Sequence, residues 1–205
     1  MQLVTSLRDR KKVRTREALF DAAMKLFEER GFSATTVDDL AAEAHVSRRT
    51  FFRYFPEKEA VVFPWDAERL ARFEAVLNAA KRGEPPFDSI RRALLALADE
   101  YTQQSDDMLA QHRVIESAPQ LLAYERTLDR RWEEALAGAL GRGARSARKR
   151  REARILAGAM MGAIRATLAE WFTDGARGDL GRMGQEALDM IEYGIERGTR
   201  PSLKE

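Results

Sequence analysis

Cysteine is absent from this 205-residue chain. That excludes disulfides, thiol nucleophiles and thiolate metal sites together, and it is compatible with a reducing cytosol. Histidine occurs only as His45 and His112, in what the periodicity below divides into different modules, so no two-histidine metal site within one chain is expected. Neither a GxSxG elbow nor an HExxH helix is present. The adjacent acids Asp38 and Asp39 point apart on a helix, and Asp106 and Asp107 fall at a helix start, where capping accounts for them. No catalytic residue, enzyme activity, metal or cofactor is expected. The N-terminus, MQLVTSLRDRKK, has no apolar signal-peptide core. The longest apolar run, AGAMMGAI at 157–164, lies between Arg154 and Arg165 and is shorter than the ~20 residues a bilayer requires. A soluble cytoplasmic protein is expected. Strand-like alternation and internal repeats are also missing. The GRGARS segment follows a helix rather than a strand, with the wrong spacing for a phosphate-binding loop.

The formal net charge is only +2, so overall charge does not announce a nucleic-acid partner. Its distribution is more informative. Arg8, Arg10, Lys11, Lys12, Arg14 and Arg16 are opposed locally only by Asp9, and a second basic run, Arg142 to Arg154, is opposed only by Glu152. A solvated loop and helix start is the commoner explanation for the second run, although it could meet the phosphates of a ligand. With 44% hydrophobic residues, the chain is that of a folded protein: one domain, or a small domain attached to a larger one.

Helical periodicity dominates. Leu19, Ala22, Ala23, Leu26 and Phe27 repeat at i, i+3, i+4 and predict a helix near 9–30, ended by Gly31. Thr35-x-x-Asp38 and Thr36-x-x-Asp39 each fit an N-terminal cap for a second, short helix ending near residue 44. Ser47 caps a third through about residue 54, and Phe55-Pro56 stops it. Two short helices joined by a tight turn form a helix-turn-helix. A further helical region starts at Glu57 and is kinked or restarted by Pro64. Helices are predicted beyond it through about residue 80 and at about 87–103, 106–117, 119–140, 147–173 and 179–197.

The third helix carries Arg48, Arg49 and Thr50 in its first turn, followed by Phe52, Arg53 and Tyr54. Residues at the start of a recognition helix reach base edges in the major groove. The arginine fork matches guanine O6 and N7. The hydroxyls of Thr36, Thr50 and Tyr54 and the ammonium of Lys58 suit phosphate oxygens. The competing reading is a solvated face on an ordinary bundle. The coincidence of two capped helices with arginines, aromatics and hydroxyls on one short element weighs against it.

Residues 14–60, with AAMKLFEERGF, TTVDDLAAEA, VSRRTFFRYF and Lys58 after the turn, closely resemble the DNA-binding domain of TetR-type bacterial transcriptional regulators. The resemblance implies an all-α homodimer with an N-terminal helix-turn-helix domain over 1–56 and a larger ligand-binding and dimerisation domain over 57–205. It implies a double-stranded, palindromic operator that is released when a small molecule binds. By that resemblance Thr36, Thr50, Tyr54 and Lys58 fall at phosphate-contacting positions, with the capping Ser47 beside them. Arg48, Arg49 and Phe52 fall at base-reading positions. His45 stands where the family usually has glycine, and Phe52 where tyrosine is common. His45 is tolerable there because histidine accepts positive φ better than most residues.

Farther along, HRVIESAPQLLAYERTLDRRWEEALAGAL and ARILAGAMMGAIRATLAEW look like a subgroup of these regulators that bind acyl-CoA-like ligands. The helix at 147–173 carries a broad apolar face together with Gly158 and Gly162. Each mid-helix glycine costs roughly 1 kcal/mol relative to alanine, which close helix approach would offset. That helix and the last one could complete a monomer core, or pair with their copies in a four-helix interface as the family does. Gly158, Gly162, Leu188, Ile191 and Ile195 are the candidate interface residues. Met108, Leu109, His112, Ile115, Trp132, Met160 and Ile164 are the candidate ligand contacts, since methionines adapt to flexible apolar ligands. The function expected is a ligand-responsive transcriptional regulator, a repressor released by a small apolar effector such as an acyl-CoA. A helical enzyme using the C-terminal cavity and a non-specific architectural DNA binder are the alternatives.

Overall fold

The computed structural model describes residues 7–81 and 83–197, with side chains through Gly194. Among the described residues every regular element is helical. In chain order these are α1 (Leu7–Arg30), α2 (Val37–Glu43), α3 (Arg48–Tyr54), α4 (Asp66–Asn78), α5 (Pro86–Gln103), α6 (Ser105–Glu116), α7 (Pro119–Leu140), α8 (Ala147–Thr173) and α9 (Leu180–Arg197). Beyond Glu57 the expected helix is a 3-10 turn, Glu59–Val62, and Pro64 separates it from α4 rather than kinking one continuous helix.

The chain forms two compact units. The first contains residues up to Ala67 together with Ala110–Arg126, and the second contains Glu68–Leu109 and the chain from Thr127 onward. The chain therefore passes from one unit to the other inside α4, α6 and α7. These packing units differ from a division after residue 56. The 3-10 turn and the 110–126 segment contribute buried Val61, Val62, Val114, Ile115 and Leu121 to the core of the first unit.

Helices of seven residues are too short to persist alone, so α2 and α3 depend on burial. Leu40 of α2 and Phe51 of α3 are fully buried against Leu19, Leu26 and Phe27 of α1. Gln111 of α6 donates to the Val62 carbonyl, and Phe63 stacks on Tyr124 at 5.5 Å, which fixes the added segment.

Local hydrogen bonds set the helix ends. Of the two cap patterns, Thr36–Asp39 forms the capping box. The Asp39 N–H donates to Thr36 Oγ1 at 3.1 Å, and the Thr36 N–H donates to Asp39 Oδ2 at 2.8 Å. The hydrogen bonds from the Thr36 hydroxyl and backbone hold the Asp39 carboxyl below its ordinary pKa. Thr35 instead points inward and donates to Gly31 O at 2.9 Å and Leu26 O at 3.3 Å, satisfying carbonyls at the end of α1. α2 ends in a Schellman turn: His45 N–H donates to Ala42 O and Val46 N–H to Ala41 O, with His45 at φ +53°.

In the second unit, one apolar cluster joins Leu70, Phe73 and Leu77 of α4, Ile90 of α5, Leu136 of α7, Met160 and Met161 of α8 and Leu188 of α9. Another is built from Met108, Trp171, Ala176 and Leu180. Arg91 ties α5 to α9 through Asp189 at 2.7 Å and Glu192 at 2.8 Å. In the basic run, Arg142 donates to Leu77 O at 2.7 Å and Arg148 pairs with Glu152 at 2.8 Å, so part of that charge serves the fold and its own helix.

Candidate nucleic-acid interface and effector domain

Ser47 caps α3 by accepting from the Thr50 N–H at 3.0 Å, and its hydroxyl lies 2.9 Å from that of Thr50. This pair fixes the start of the helix and divides its faces. Phe51 turns inward, and its ring meets Phe55 at 5.7 Å. Arg48, Arg49, Phe52 and Arg53 are exposed, while Thr50 and Tyr54 are half-buried. Phe52 remains 44% exposed, with its ring edge-to-face on Phe51 at 5.4 Å. A large apolar ring beside arginines is suited to a surface with both hydrogen-bonding and apolar edges, as base pairs in a major groove present.

The two arginines differ. Arg48 donates to Asp38 Oδ2 of α2 at 2.7 Å, and its guanidinium lies 5.5 Å from the Phe52 ring centroid. Arg49 is exposed and, among the described residues, has no carboxylate partner. Arg53, with no role in the sequence reading, stacks on Tyr54 at 5.2 Å. Asp38 was recognisable only as a helix-start acid. Nothing in the spacing shows that it reaches across the turn to Arg48.

Lys58 is more enclosed than a phosphate-gripping lysine on a free surface. Its Nζ donates to Phe32 O at 2.8 Å and Thr35 O at 2.9 Å and sits 3.8 Å from the Phe32 ring centroid. Burial pushes its pKa down, with Glu59 opposing. An ammonium has three donors, so these two bonds leave one N–H. Lys58 thereby joins the end of the helix-turn-helix to the α1–α2 turn.

The candidate ligand residues do not converge on one place. Trp132, Met160 and Ile164 meet in the first cluster of the second unit, where Trp132 stacks on Phe73 at 5.2 Å. Met108 and Leu109 belong to the second cluster. Ile115 is corrected: it lies in the core of the DNA-binding unit, because the C-terminal half of α6 packs there. His112 also lies in that half, 3.5 Å from Glu116, and burial lowers its pKa while Glu116 opposes the shift.

The candidate interface residues also separate. Leu188, expected at the interface, is instead 4% exposed and packs inside its own protomer, because it faces the apolar cluster of the second unit. Ile191 packs partly against the same cluster. The Cβ position of Gly158 lies 3.4 Å from Glu133 Oε1, whereas that of Gly162 faces open space. The side chain of Ile195 lies outside the described residues. The outward apolar side chains are instead Ile155 (66% exposed), Met190 (77%) and Tyr193 (53%). On α8 the outward face runs Ile155, Ala159, Gly162, Ala166 and Ala169, alternating steps of four and three residues. That is the spacing of a helix-pairing seam. α8 is also long and apolar enough, by length and composition, to cross a membrane. The apolar run between Arg154 and Arg165 is only part of that length.

Residues 19–63 match the family model for bacterial regulatory proteins of the tetR family, and residues 84–196 match the MftR C-terminal domain. MftR of Mycobacterium tuberculosis, a transcriptional regulator named for mycofactocin biosynthesis, is 30% identical over 92% of this chain and 94% of its own. The chain belongs to the TetR family. FadR of Thermus thermophilus, a TetR-family repressor solved with lauroyl-CoA, superposes with a TM-score of 0.57 at 27% identity, covering 93% of this chain and 98% of FadR. SmeT, the repressor of a Stenotrophomonas maltophilia multidrug efflux pump, shares the fold at a TM-score of 0.61 and 19% identity, over 88% and 91% of the two chains. The protein is thus a TetR-family DNA-binding transcriptional regulator with a helix-turn-helix and a helical ligand-binding domain. Its relatives are regulators rather than enzymes.

Proposed function

We propose that the protein is a homodimeric repressor whose α3 helices enter successive major grooves of a palindromic operator. Arg48, Arg49 and Phe52 read base edges. Thr36, Ser47, Thr50, Tyr54 and Lys58 hold the phosphate backbone, Lys58 through its remaining N–H. The functional division, DNA contact from residues 1–56 and effector binding and dimerisation from 57–205, belongs to this proposal. The observation that carries it is the division of α3, with Phe51 buried and Arg48, Arg49 and Phe52 presented outward.

The outward faces of α8 and α9, with Ile155, Gly162, Met190 and Tyr193, meet their copies in the dimer. A partner helix on this face also accounts for the apolar length of α8 without a membrane, in keeping with a cytoplasmic regulator. The effector is a small apolar molecule with a long acyl chain, an acyl-CoA or a related acyl compound, supported by the lauroyl-CoA bound to the Thermus thermophilus relative. Met108 and Leu109, in the cluster with Trp171, are its contacts, and Trp132, Met160 and Ile164 of the other cluster join them only where a long acyl chain extends that far. It binds the released state more tightly than the DNA-bound state and so shifts their populations.

Footprinting on the DNA upstream of the gene, with and without lauroyl-CoA, tests this reading. A two-fold footprint with half-sites one helical turn or multiples apart, lost on adding lauroyl-CoA, is expected. Equal affinity for random and upstream DNA at physiological salt would instead identify an architectural binder.

A further inference from the structure

Arg69 of α4 is 6% exposed, a rare state for a cation. Its Nε donates to Glu100 Oε1 of α5 at 2.9 Å, and Nη2 donates to the Met108 sulfur of α6 at 3.8 Å. The Tyr101 ring centroid lies 5.0 Å from its Cζ. A guanidinium has five N–H donors. Among the described residues nothing accepts the other three, and one of the two in use ends on a thioether, a poor acceptor. Glu100 is shared, because Arg72 donates to its Oε2 at 2.6 Å. Two cations therefore face one carboxylate, and the cluster carries a net positive charge.

Stability does not account for this arrangement, since an apolar side chain of similar volume serves a core as well as a buried ion pair does. The other enclosed arginine of the second unit, Arg91, has the opposite balance: two carboxylates, Asp189 and Glu192, face one cation. Arg91 is therefore compensated in charge, although its Nη1 makes no aligned hydrogen bond among the described residues, whereas Arg69 shares its one carboxylate with Arg72. Beside Arg69, Met108 belongs to the apolar cluster with Trp171, Leu109, Leu168 and Phe172. Methionine is flexible enough to move aside.

We propose that Arg69 receives the effector's polar end, and that this end is a compact oxygen anion, a carboxylate, on an apolar body. The anion replaces the Met108 sulfur on Nη2 and takes the open N–H donors. Glu100 stays with Arg72, and the apolar body lies among Met108, Trp171 and their neighbours. The enclosure of Arg69 fits a carboxylate rather than bulky nucleotide phosphates. This inference rests on the apolar-effector reading above and narrows it.

The test is calorimetric titration of the full chain with dodecanoate, dodecan-1-ol and lauroyl-CoA, below their aggregation concentrations. The wild type is compared with Arg69→Met, Arg69→Lys and Glu100→Gln. Charge-assisted hydrogen bonds imply a wild-type preference for dodecanoate over dodecanol on the order of 10- to 100-fold. Arg69→Met is expected to abolish that preference while still binding dodecanol, which also shows that it is folded. Arg69→Lys retains part of it, and Glu100→Gln increases it by removing the competing carboxylate. Equal wild-type affinities for dodecanoate and dodecanol, or a preference that survives Arg69→Met, overturn the assignment. If Arg69→Met does not fold, an unchanged preference in Glu100→Gln overturns it. Dodecanol or lauroyl-CoA binding without a carboxylate preference leaves the broader effector reading standing. Failure of all three probes to bind overturns both.

Discussion

Arg48 and Arg49 are neighbours in sequence but are presented differently. Asp38 orients Arg48 through an exposed pair, and such pairs contribute only about 0–1 kcal/mol. Asp38 therefore sets direction more than it adds stability. Arg49→Ala is expected to weaken specific operator binding by roughly 1–3 kcal/mol without moving the melting temperature. Asp38→Ala should act differently: loss of a negative charge beside the DNA raises affinity for any sequence, while an unguided Arg48 lowers discrimination. Competition titrations with operator and random duplexes separate the two, and an unchanged ratio in Asp38→Ala would rule out the orienting role. His112 shows its environment through pH. Its folded pKa is depressed by burial, so the unfolded chain binds the proton more readily. Stability is full above about pH 6.5, the ordinary histidine value, and falls as pH drops from there toward the folded pKa. His112→Gln should therefore lose less melting temperature than the wild type between pH 7.5 and 5.5.

At the scale of elements, the helix ends were largely legible in the sequence. Gly31, the Thr36 cap, the Ser47 cap and Pro56 act within four residues of their own positions, and such short-range chemistry leaves a pattern. His45 is an instructive case. Its departure from glycine raised a question about the turn, and the answer is a Schellman turn with a histidine at φ +53°. His45→Gly is expected to raise stability by about 0.5–1 kcal/mol, a gain limited by glycine's greater freedom in the unfolded chain. Urea denaturation measures it, and a loss of stability would show that the imidazole makes a contribution of its own. Contacts between elements were less legible. The inward turn of Leu188 and the reach of Asp38 to Arg48 depend on how helices are placed, which periodicity within one helix does not report. For α9, periodicity marked an apolar stripe but not whether it meets its own protomer or a partner.

At the scale of the molecule, the proposed dimer rests on the outward side chains of α8 and α9. Ile155→Asp combined with Met190→Asp would bury like charges across the two-fold axis. Light scattering should then report a monomer, and operator affinity should fall on the order of 100-fold as the two half-sites cease to be held by one particle. A variant that stays dimeric would move the interface to another face. The fold outside that face should be unaffected, because both side chains are already exposed in the protomer.

The segment 110–126 makes the N-terminal module less portable than its sequence suggests. A fragment ending at Ala67 carries all of α1, α2 and α3 but lacks Val114, Ile115 and Leu121, leaving Val61, Val62 and part of α1 without their cover. Such a fragment, expressed alone, is expected to show no cooperative thermal transition, and a chimera grafting residues 1–67 onto an unrelated effector domain should fail unless it brings the α6–α7 corner with it. Exchange of operator specificity between relatives would then proceed by substitution on the exposed face of α3 rather than by recombination near residue 67.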